Sequence, residues 1–172
     1  QRCFRGCNSS VSISGCNMVY GTCKAPGPDS LSMNRDRHAG NCSVCMDTDG
    51  DGDKEILLGQ LGCCNMVLLT NGGSTATANM TAMDDSFPSY NTPAMFNSFP
   101  CGYFIDLNND NKRDLIVSPN APNVSIDKES IWYYLNTGFD SIPVFSRQTK
   151  ALFQQDMIDV GEGADPVFFD FN

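Results

Sequence analysis

The sequence predicts an all-β protein built from repeated units of short antiparallel strands. Its main signal is an acidic phrase that begins at Asp47, again at Asp106 and again at Asp170. These starts lie roughly 60 residues apart, and such spacing is typical of repeat architectures. Short apolar runs flank the phrases, helical periodicity is poor, and many Gly, Pro, Asn, Ser and Thr residues favour strands joined by turns.

The apolar runs follow the same order in each unit. One run enters the acidic loop, a second leaves it, a third ends in a turn with Asn and Gly, and a last run leads into the next copy. Four antiparallel strands are the content of one β-propeller blade, and two or three such blades cannot close a ring. We therefore expect β-propeller-type blades in a partial or open propeller. The runs are Val44–Met46, Ile56–Leu58 and Met66–Leu69, then Tyr103–Ile105, Leu115–Val117, Ile131–Leu135 and Pro143–Ser146, then Val167–Phe169.

Oxygen-bearing side chains recur at positions one, three, five and nine of both complete acidic loops. Ca²⁺ takes six to eight oxygen ligands in flexible geometry, so this pattern predicts calcium-binding loops between strands. The Asp53 and Lys112 carbonyls are expected as further ligands, and a third site would begin at Asp170 and Asn172. The side chains are Asp47, Asp49, Asp51 and Glu55 in the first loop, and Asp106, Asn108, Asp110 and Asp114 in the second.

An EF-hand is the first alternative for these loops. Its twelfth position should be a bidentate Glu between two helices, but Leu58 and Val117 stand there and strands flank both loops. A solvated acidic turn without metal is the other alternative, and two copies with the same alternation argue against it. Gly52 and Asn111 stand where the chain must turn sharply, which both residue types tolerate. We expect structural sites that rigidify the loops rather than a calcium sensor.

Two stretches of the sequence resemble FG-GAP or VCBS repeats. One is the phrase from Asp47 to Glu55 with Ile56–Gly59 after it, and the other is the phrase from Asp106 to Asp114 with Leu115–Val117 after it. The resemblance covers residues 42–172. The wording of these repeats is most similar to that of repeats in secreted Bacteroidetes surface proteins. The resemblance implies an integrin-α-like β-propeller with calcium in its blade loops. Residues 1–41 depart from the family, because cysteines replace any recognisable loop; they form a separate Cys-rich segment or a degenerate blade.

The cysteines indicate an oxidising compartment. Eight of the nine lie in the first 64 residues of an acidic chain, which favours disulfides. A zinc site at Cys42 and Cys45 would need a second such pair or a histidine pair, and His38 is the sole histidine. We expect Cys63 and Cys64 to enter two separate bridges rather than a redox switch. Because nine is odd, at least one thiol is free or pairs outside this chain.

Charge and hydropathy narrow the classes of partner. The net charge of −9 argues against nucleic acid, which requires clustered Lys and Arg. No apolar run reaches the roughly 20 residues of a transmembrane segment. Together with four Asn-X-Ser/Thr sequons, at Asn8, Asn41, Asn79 and Asn123, these features predict an extracellular or cell-surface glycoprotein.

The leading functional hypothesis is a non-catalytic module for adhesion that binds a surface glycan or a protein ligand. A structural subunit of an extracellular filament or matrix, self-assembling through open blade edges, is the alternative. A propeller lyase or hydrolase ranks third, because no catalytic constellation is visible and His38 lies in a polar stretch. Among the aromatics, we expect alternate residues of Trp132–Tyr134 in the core. The stretch of Phe87, Phe96 and Phe99 is interpreted as a long inter-strand loop that is packed by its own aromatics and placed on a ligand-facing rim.

Overall fold

The computed structural model describes residues 9–14, 17–22, 42–60, 64–97, 99–120 and 128–157, and for the first two ranges only the backbone. All regular secondary structure in these ranges is β-strand, and none of it is a helix that could cross a membrane. The strands are β1 Ser9–Ser14, β2 Asn17–Thr22, β3 Cys42–Met46, β4 Glu55–Gly59, β5 Met66–Asn71, β6 Met80–Phe87, β7 Pro100–Ile105, β8 Asp114–Pro119, β9 Trp132–Asn136 and β10 Phe145–Thr149.

Eight of these strands form two antiparallel sheets of four strands each. The first sheet has the order β3-β4-β5-β6 and the second has the order β7-β8-β9-β10, so each sheet follows the chain. A separate hairpin pairs β1 with β2. The all-β class and the four-stranded units are thereby confirmed. A propeller requires more such units around an axis, and that arrangement stays a prediction.

The turn after the third strand is built in the same way in both sheets. The Oδ1 atoms of buried Asn71 and Asn136 each accept the amides two and eight residues further on, at 3.1 and 2.8 Å for Asn71 and at 3.0 Å twice for Asn136. A Cβ atom on Gly73 or Gly138 would lie 2.4 or 2.3 Å from a backbone oxygen, so only glycine fits there. The two sheets therefore share the hydrogen bonds and the closely packed glycine of this turn.

The main hydrophobic core lies between the two sheets. Strand β7 contacts β3, β4 and β5, and it approaches so closely that a Cβ on Gly59 would lie 1.6 Å from the Pro100 oxygen. A second cluster, which includes Leu58 and Leu69, is buried on the other face of the first sheet. The main core contains Met46, Leu57, Met66, Leu68, Phe87, Ala94, Phe96, Leu115, Val117, Trp132, Tyr134 and Phe145.

The aromatic residues largely belong to this core. Trp132 and Tyr134 are buried and Tyr133 is half-buried, which confirms the expected alternation along β9. Phe87 and Phe96 are buried as well, and the ring centroids of Phe96 and Trp132 lie 4.9 Å apart. The expected ligand-facing rim is therefore wrong for these two residues and for Phe99, which is also buried. Each side chain fills space between sheet elements instead of facing solvent.

A disulfide links Cys42 on β3 to Cys101 on β7, and Cys45 is also disulfide-bonded. Cys64 is an exposed free thiol whose Sγ lies 3.7 Å from the Asn97 oxygen. The predictions of disulfides and of at least one free thiol are confirmed. The expectation of a bridge at Cys64 is wrong, while Cys63 and the cysteines before Cys42 lie outside the described residues.

Candidate metal centre

The acidic loops are the β3–β4 and β7–β8 connections, and both follow the same backbone course. Their fourth and sixth residues have positive φ: 85° at Gly50 and 88° at Gly52 in the first loop, and 61° at Asn109 and 64° at Asn111 in the second. Left-handed backbone favours Gly and tolerates Asn. The sharp turn expected at Gly52 and Asn111 is confirmed, and the residues at the fourth position turn in the same way.

The first loop gathers its carboxylates into one cluster. The cluster consists of two groups of three residues, and within each group the carboxylate oxygens lie within 4.8 Å of one another. The groups are Asp47 with Asp49 and Glu55, and Asp51 with Asp53 and Glu55. Glu55 belongs to both groups and is fully buried, and Asp47 and Asp53 are buried too. The sequence predicted a carbonyl ligand at Asp53, whereas the structure also turns its side chain into the cluster.

Several oxygens of this cluster are buried without a hydrogen-bond donor. Glu55 Oε2 accepts the Thr48 amide at 2.5 Å, but Glu55 Oε1 and both carboxylate oxygens of Asp53 have no donor. Burial raises the pKa of Glu55 to about 7. Burial, followed by the charges of Asp51 and Asp49, raises the pKa of Asp53 as well. Orphaned buried oxygens are costly, so the ionised cluster requires a positive charge beside it.

The cation near the first loop is Lys54, and it only partly supplies this charge. Its Nζ lies 3.8 Å from Asp47 Oδ2, and its side chain is 43% exposed. An ion pair at this distance contributes little when its cation is well solvated. A ligand set made only of oxygens suits a hard cation, and Ca²⁺ accepts flexible arrangements of such ligands whereas Mg²⁺ requires a near-ideal octahedron. The residues of the first loop therefore fit calcium.

The second loop instead directs its side chains toward its own amides. Asp106 accepts the amides of Asp110 at 3.2 Å and Asn111 at 3.0 Å, and Asn108 Oδ1 accepts the Asp110 amide at 3.0 Å. Asp110 accepts the Lys112 amide at 2.9 Å and the Asn108 Nδ2 group at 3.2 Å. These contacts hold the loop in its course with its carboxylates separated. Across the described ranges, groups of three close carboxylates occur in the first loop alone.

Asp114, at the ninth position, differs most from its counterpart Glu55. Asp114 is fully buried, and its two oxygens accept the Tyr133 hydroxyl at 2.9 Å and the Asn136 amide at 2.8 Å. Burial and the hydrogen bond to Asp114 raise the pKa of Tyr133 to about 12. The β9 strand thus supplies donors to the ninth position of the second loop. The sequence pattern of the loops did not reveal this partner, because it lies about 20 residues away.

The β9–β10 hairpin lies against both loops. Arg113 donates its backbone amide and its Nε to Asp140, at 2.6 and 2.7 Å. Lys112 Nζ lies 5.7 Å from the centre of the Phe139 ring. On the other side, a Cβ on Gly50 would lie 3.0 Å from Ile142 side-chain atoms, so the hairpin also packs on the first loop. The two loops therefore share one surface of the molecule.

No protein-family model, curated protein or solved structure matches this chain. The FG-GAP/VCBS resemblance accordingly rests on the loops and strands described above. The third loop start at Asp170 and Asn172, and the sole histidine His38, lie outside the described residues.

Proposed function

We propose that the chain is a calcium-binding, β-propeller-type repeat module of the extracellular space. The observation that carries the proposal is the set of buried oxygens on Glu55 and Asp53 that have no donor. Asp47, Asp49, Asp51, Asp53 and Glu55 would hold the ion, which would supply the missing positive charge between β3 and β4. Asp106, Asn108, Asp110, Asp114 and the Lys112 carbonyl would form a second site of different character, because that loop is already hydrogen-bonded.

The role we propose for the ion is structural. The loop connects two paired strands, and the buried cluster lies beside the core residue Met46. A bound ion would cancel repulsion in the loop and fix the course of the β3–β4 connection. The FG-GAP/VCBS resemblance supports a non-catalytic module that binds a surface glycan or a protein ligand during adhesion. The Cys42–Cys101 disulfide is compatible with an extracellular location.

Thermal unfolding with calcium and with excess EGTA, under non-reducing conditions, tests the metal proposal. A ligand that binds only the native state raises the midpoint, by an amount equivalent to about 2.7 kcal/mol at 100 times its Kd. We expect a calcium-dependent rise that magnesium at the same concentration does not reproduce. An unchanged midpoint would remove the metal from the proposal and leave two acidic turns.

A structural subunit of a filament or matrix is the second candidate, and the exposed free thiol of Cys64 favours it. Such a thiol could join copies covalently in an oxidising compartment. Non-reducing electrophoresis and electron microscopy of the wild type and Cys64→Ser, both in calcium, separate the candidates. Wild-type oligomers that the variant lacks would support a structural subunit. A monomeric wild type that binds a component of a glycan array would support the adhesion module.

A further inference from the structure

Two basic side chains converge on the sole tryptophan of the chain. The Arg147 guanidinium carbon lies 5.5 Å from the centre of the Trp132 ring, and Lys150 Nζ lies 4.8 Å from it. Arg147 belongs to β10, Lys150 follows that strand directly, and both side chains are half-buried. An aromatic ring attracts each cation but carries no net charge, so it leaves the positive charge of the pair uncompensated.

No carboxylate in the described part of the chain compensates this charge. The ion pairs there join Lys54 to Asp47 and Arg113 to Asp140, in the acidic loops and the hairpin. The chain has 20 acidic and 11 basic side chains, so a basic side chain has many possible partners. A half-buried pair of cations without a counter-ion is unfavourable, and an anion from outside the molecule would relieve it.

The β6–β7 connection adds hydrogen-bond donors beside the pair. The Tyr90 hydroxyl accepts the Phe145 amide at 2.9 Å, and Asn91 Oδ1 accepts the amides of Arg147 at 3.4 Å and Thr92 at 2.8 Å. With these oxygens in use, the Tyr90 hydroxyl proton and the Asn91 NH₂ group remain as donors on exposed side chains. Cations and donors thus stand together at the outer edge of β10, which suits a ligand that is an acceptor with negative charge.

Tyr90 also gives this edge an aromatic surface of the size of a sugar. Its side chain is 56% exposed, although its hydroxyl is fixed to β10 and its ring meets that of Phe87 edge-on at 6.3 Å. The C–H groups of a sugar ring pack on such a surface. The two β10 amides that Tyr90 and Asn91 accept lie about 7 Å apart, since a strand rises about 3.4 Å per residue, and one sugar ring spans a similar length.

The charge of the whole chain limits the ligand to few negative groups. A net charge of −9 repels a polyanion, whereas a single carboxylate on a neutral ligand is little affected. The planar guanidinium of Arg147 matches a carboxylate, to which it can donate two parallel hydrogen bonds, and Lys150 supplies a further charge.

We propose that Arg147 and Lys150 bind the carboxylate of an acidic sugar, a uronic acid unit of a mostly neutral glycan, whose ring packs on Tyr90 and accepts a hydrogen bond from Asn91. This inference rests on the proposed glycan-binding module and names the class of its ligand. On binding, the carboxylate becomes the partner of two cations that otherwise face the Trp132 ring. The site includes no residue of the acidic loops.

The fluorescence of Trp132 makes this site observable in the full 172-residue chain. Glucuronate, glucose and acetate are titrated separately in calcium at constant ionic strength. Glucuronate should change the emission of Trp132 with saturation, because it draws the cations from the ring. Acetate lacks the sugar ring and should bind at least about tenfold more weakly, since contact with an aromatic side chain is lost. Glucose lacks the charge and should give no response.

Four variants assign the response to the site. Arg147→Gln and Lys150→Gln should each weaken glucuronate binding about tenfold or more, because each removes a charged hydrogen-bond donor. Tyr90→Ala should weaken glucuronate binding and leave acetate binding unchanged. Lys128→Gln is the matched control, because it removes the same charge from an exposed position, and it should leave the glucuronate affinity unchanged. An NMR spectrum of each variant shows that it is folded.

Four results would overturn the inference. Without a saturable response to glucuronate, the site does not bind this class of sugar. Equal affinities for glucuronate and acetate would show that any carboxylate binds and that the sugar ring has no contact. Wild-type affinity in folded Arg147→Gln and Lys150→Gln would place the carboxylate elsewhere. An equal loss in Lys128→Gln would reduce the effect to general electrostatic attraction. A neutral glycan that binds on an array, or a calcium-dependent midpoint, would still support the proposed function in each of these cases.

Discussion

Replacing Glu55 by Gln should stabilise the protein without calcium and weaken its response to calcium. Burial raises the pKa of Glu55 from 4.5 to about 7, so the folded state holds the ionised group unfavourably. At about 1.4 kcal/mol per pKa unit, the unfavourable contribution at pH 8 is at most about 3 kcal/mol. Gln keeps an acceptor for the Thr48 amide and carries no charge. In EGTA at pH 8, the unfolding midpoint should therefore rise by up to roughly 6–12 °C.

The same variant should respond differently to calcium and to pH. A folded pKa above the unfolded value means that the folded state binds more protons between these two pH values. Without calcium, wild-type stability should thus increase as the pH falls from about 8 toward 4.5, and Glu55→Gln should lose this increase. With calcium, the ionised carboxylate is a ligand, so the wild type should gain more stability than the variant. Scanning calorimetry at pH 5.5 and pH 8, each in calcium and in EGTA, measures all four conditions.

Asp114→Asn is the matched control, because Asp114 occupies the same position in the second loop. Its oxygens accept a hydroxyl and an amide, so Asn can satisfy only one donor through its oxygen. In EGTA, the free energy of unfolding of this variant should fall by about 1–3 kcal/mol. This change is opposite in sign to the one expected for Glu55→Gln. If Glu55→Gln also lowers the midpoint in EGTA at pH 8, then the carboxylate is not an uncompensated buried charge and the argument for the metal is refuted.

Three further predictions concern the turns and the hairpin. Gly50→Ala and Gly52→Ala should both destabilise the protein, because the φ angles at these positions are 85° and 88°. In urea unfolding, Gly50→Ala should cost about 1 kcal/mol more than Gly52→Ala, because a Cβ at position 50 contacts Ile142 of the hairpin. Asn71→Ala and Asn136→Ala should each lower the free energy of unfolding by about 1–2 kcal/mol in the same measurement, since each leaves two backbone amides without an acceptor. A neutral result for either variant would contradict the shared structure of this turn. Burial opposes ionisation of Asp140, but its arginine partner holds the pKa below 3.8. An NMR titration should give a midpoint for Asp140 below 3.8. The small stabilisation by the pair is present at neutral pH and should disappear as the pH falls through this pKa.

The sequence predicted the strands that carry large apolar side chains. The runs before and after the two complete acidic loops became β3, β4, β7 and β8, because alternate residues along them reach a core. Strand β6 was missed, since half of its residues are polar and most of them are exposed or half-buried. Among the described strands it lies at a sheet edge and pairs only with β5, so its hydrogen bonds rather than its hydropathy define it.

The candidate site was predictable in its local part only. The alternation of acidic residues indicated two equivalent loops, and the backbone of both loops is equivalent. The difference between Glu55 and Asp114 depends on Tyr133 and Asn136, which reach the second loop from another strand. Such tertiary donors leave no trace in the spacing of the loop residues. The same applies to Asp140, whose pairing with Arg113 requires the hairpin to fold back over the loop.

The Cys42–Cys101 bridge would govern how the chain responds to a pulling force. It joins the first strands of two successive units and closes a segment whose ends are separated by 59 residues. Under tension applied at the chain ends, load would pass through the sulfur atoms and bypass the loop, three strands and connecting segment between them. At about 3.4 Å per residue, roughly 200 Å of chain would remain unextended until the bridge is reduced. A surface protein with this connection would yield first outside the bridged segment.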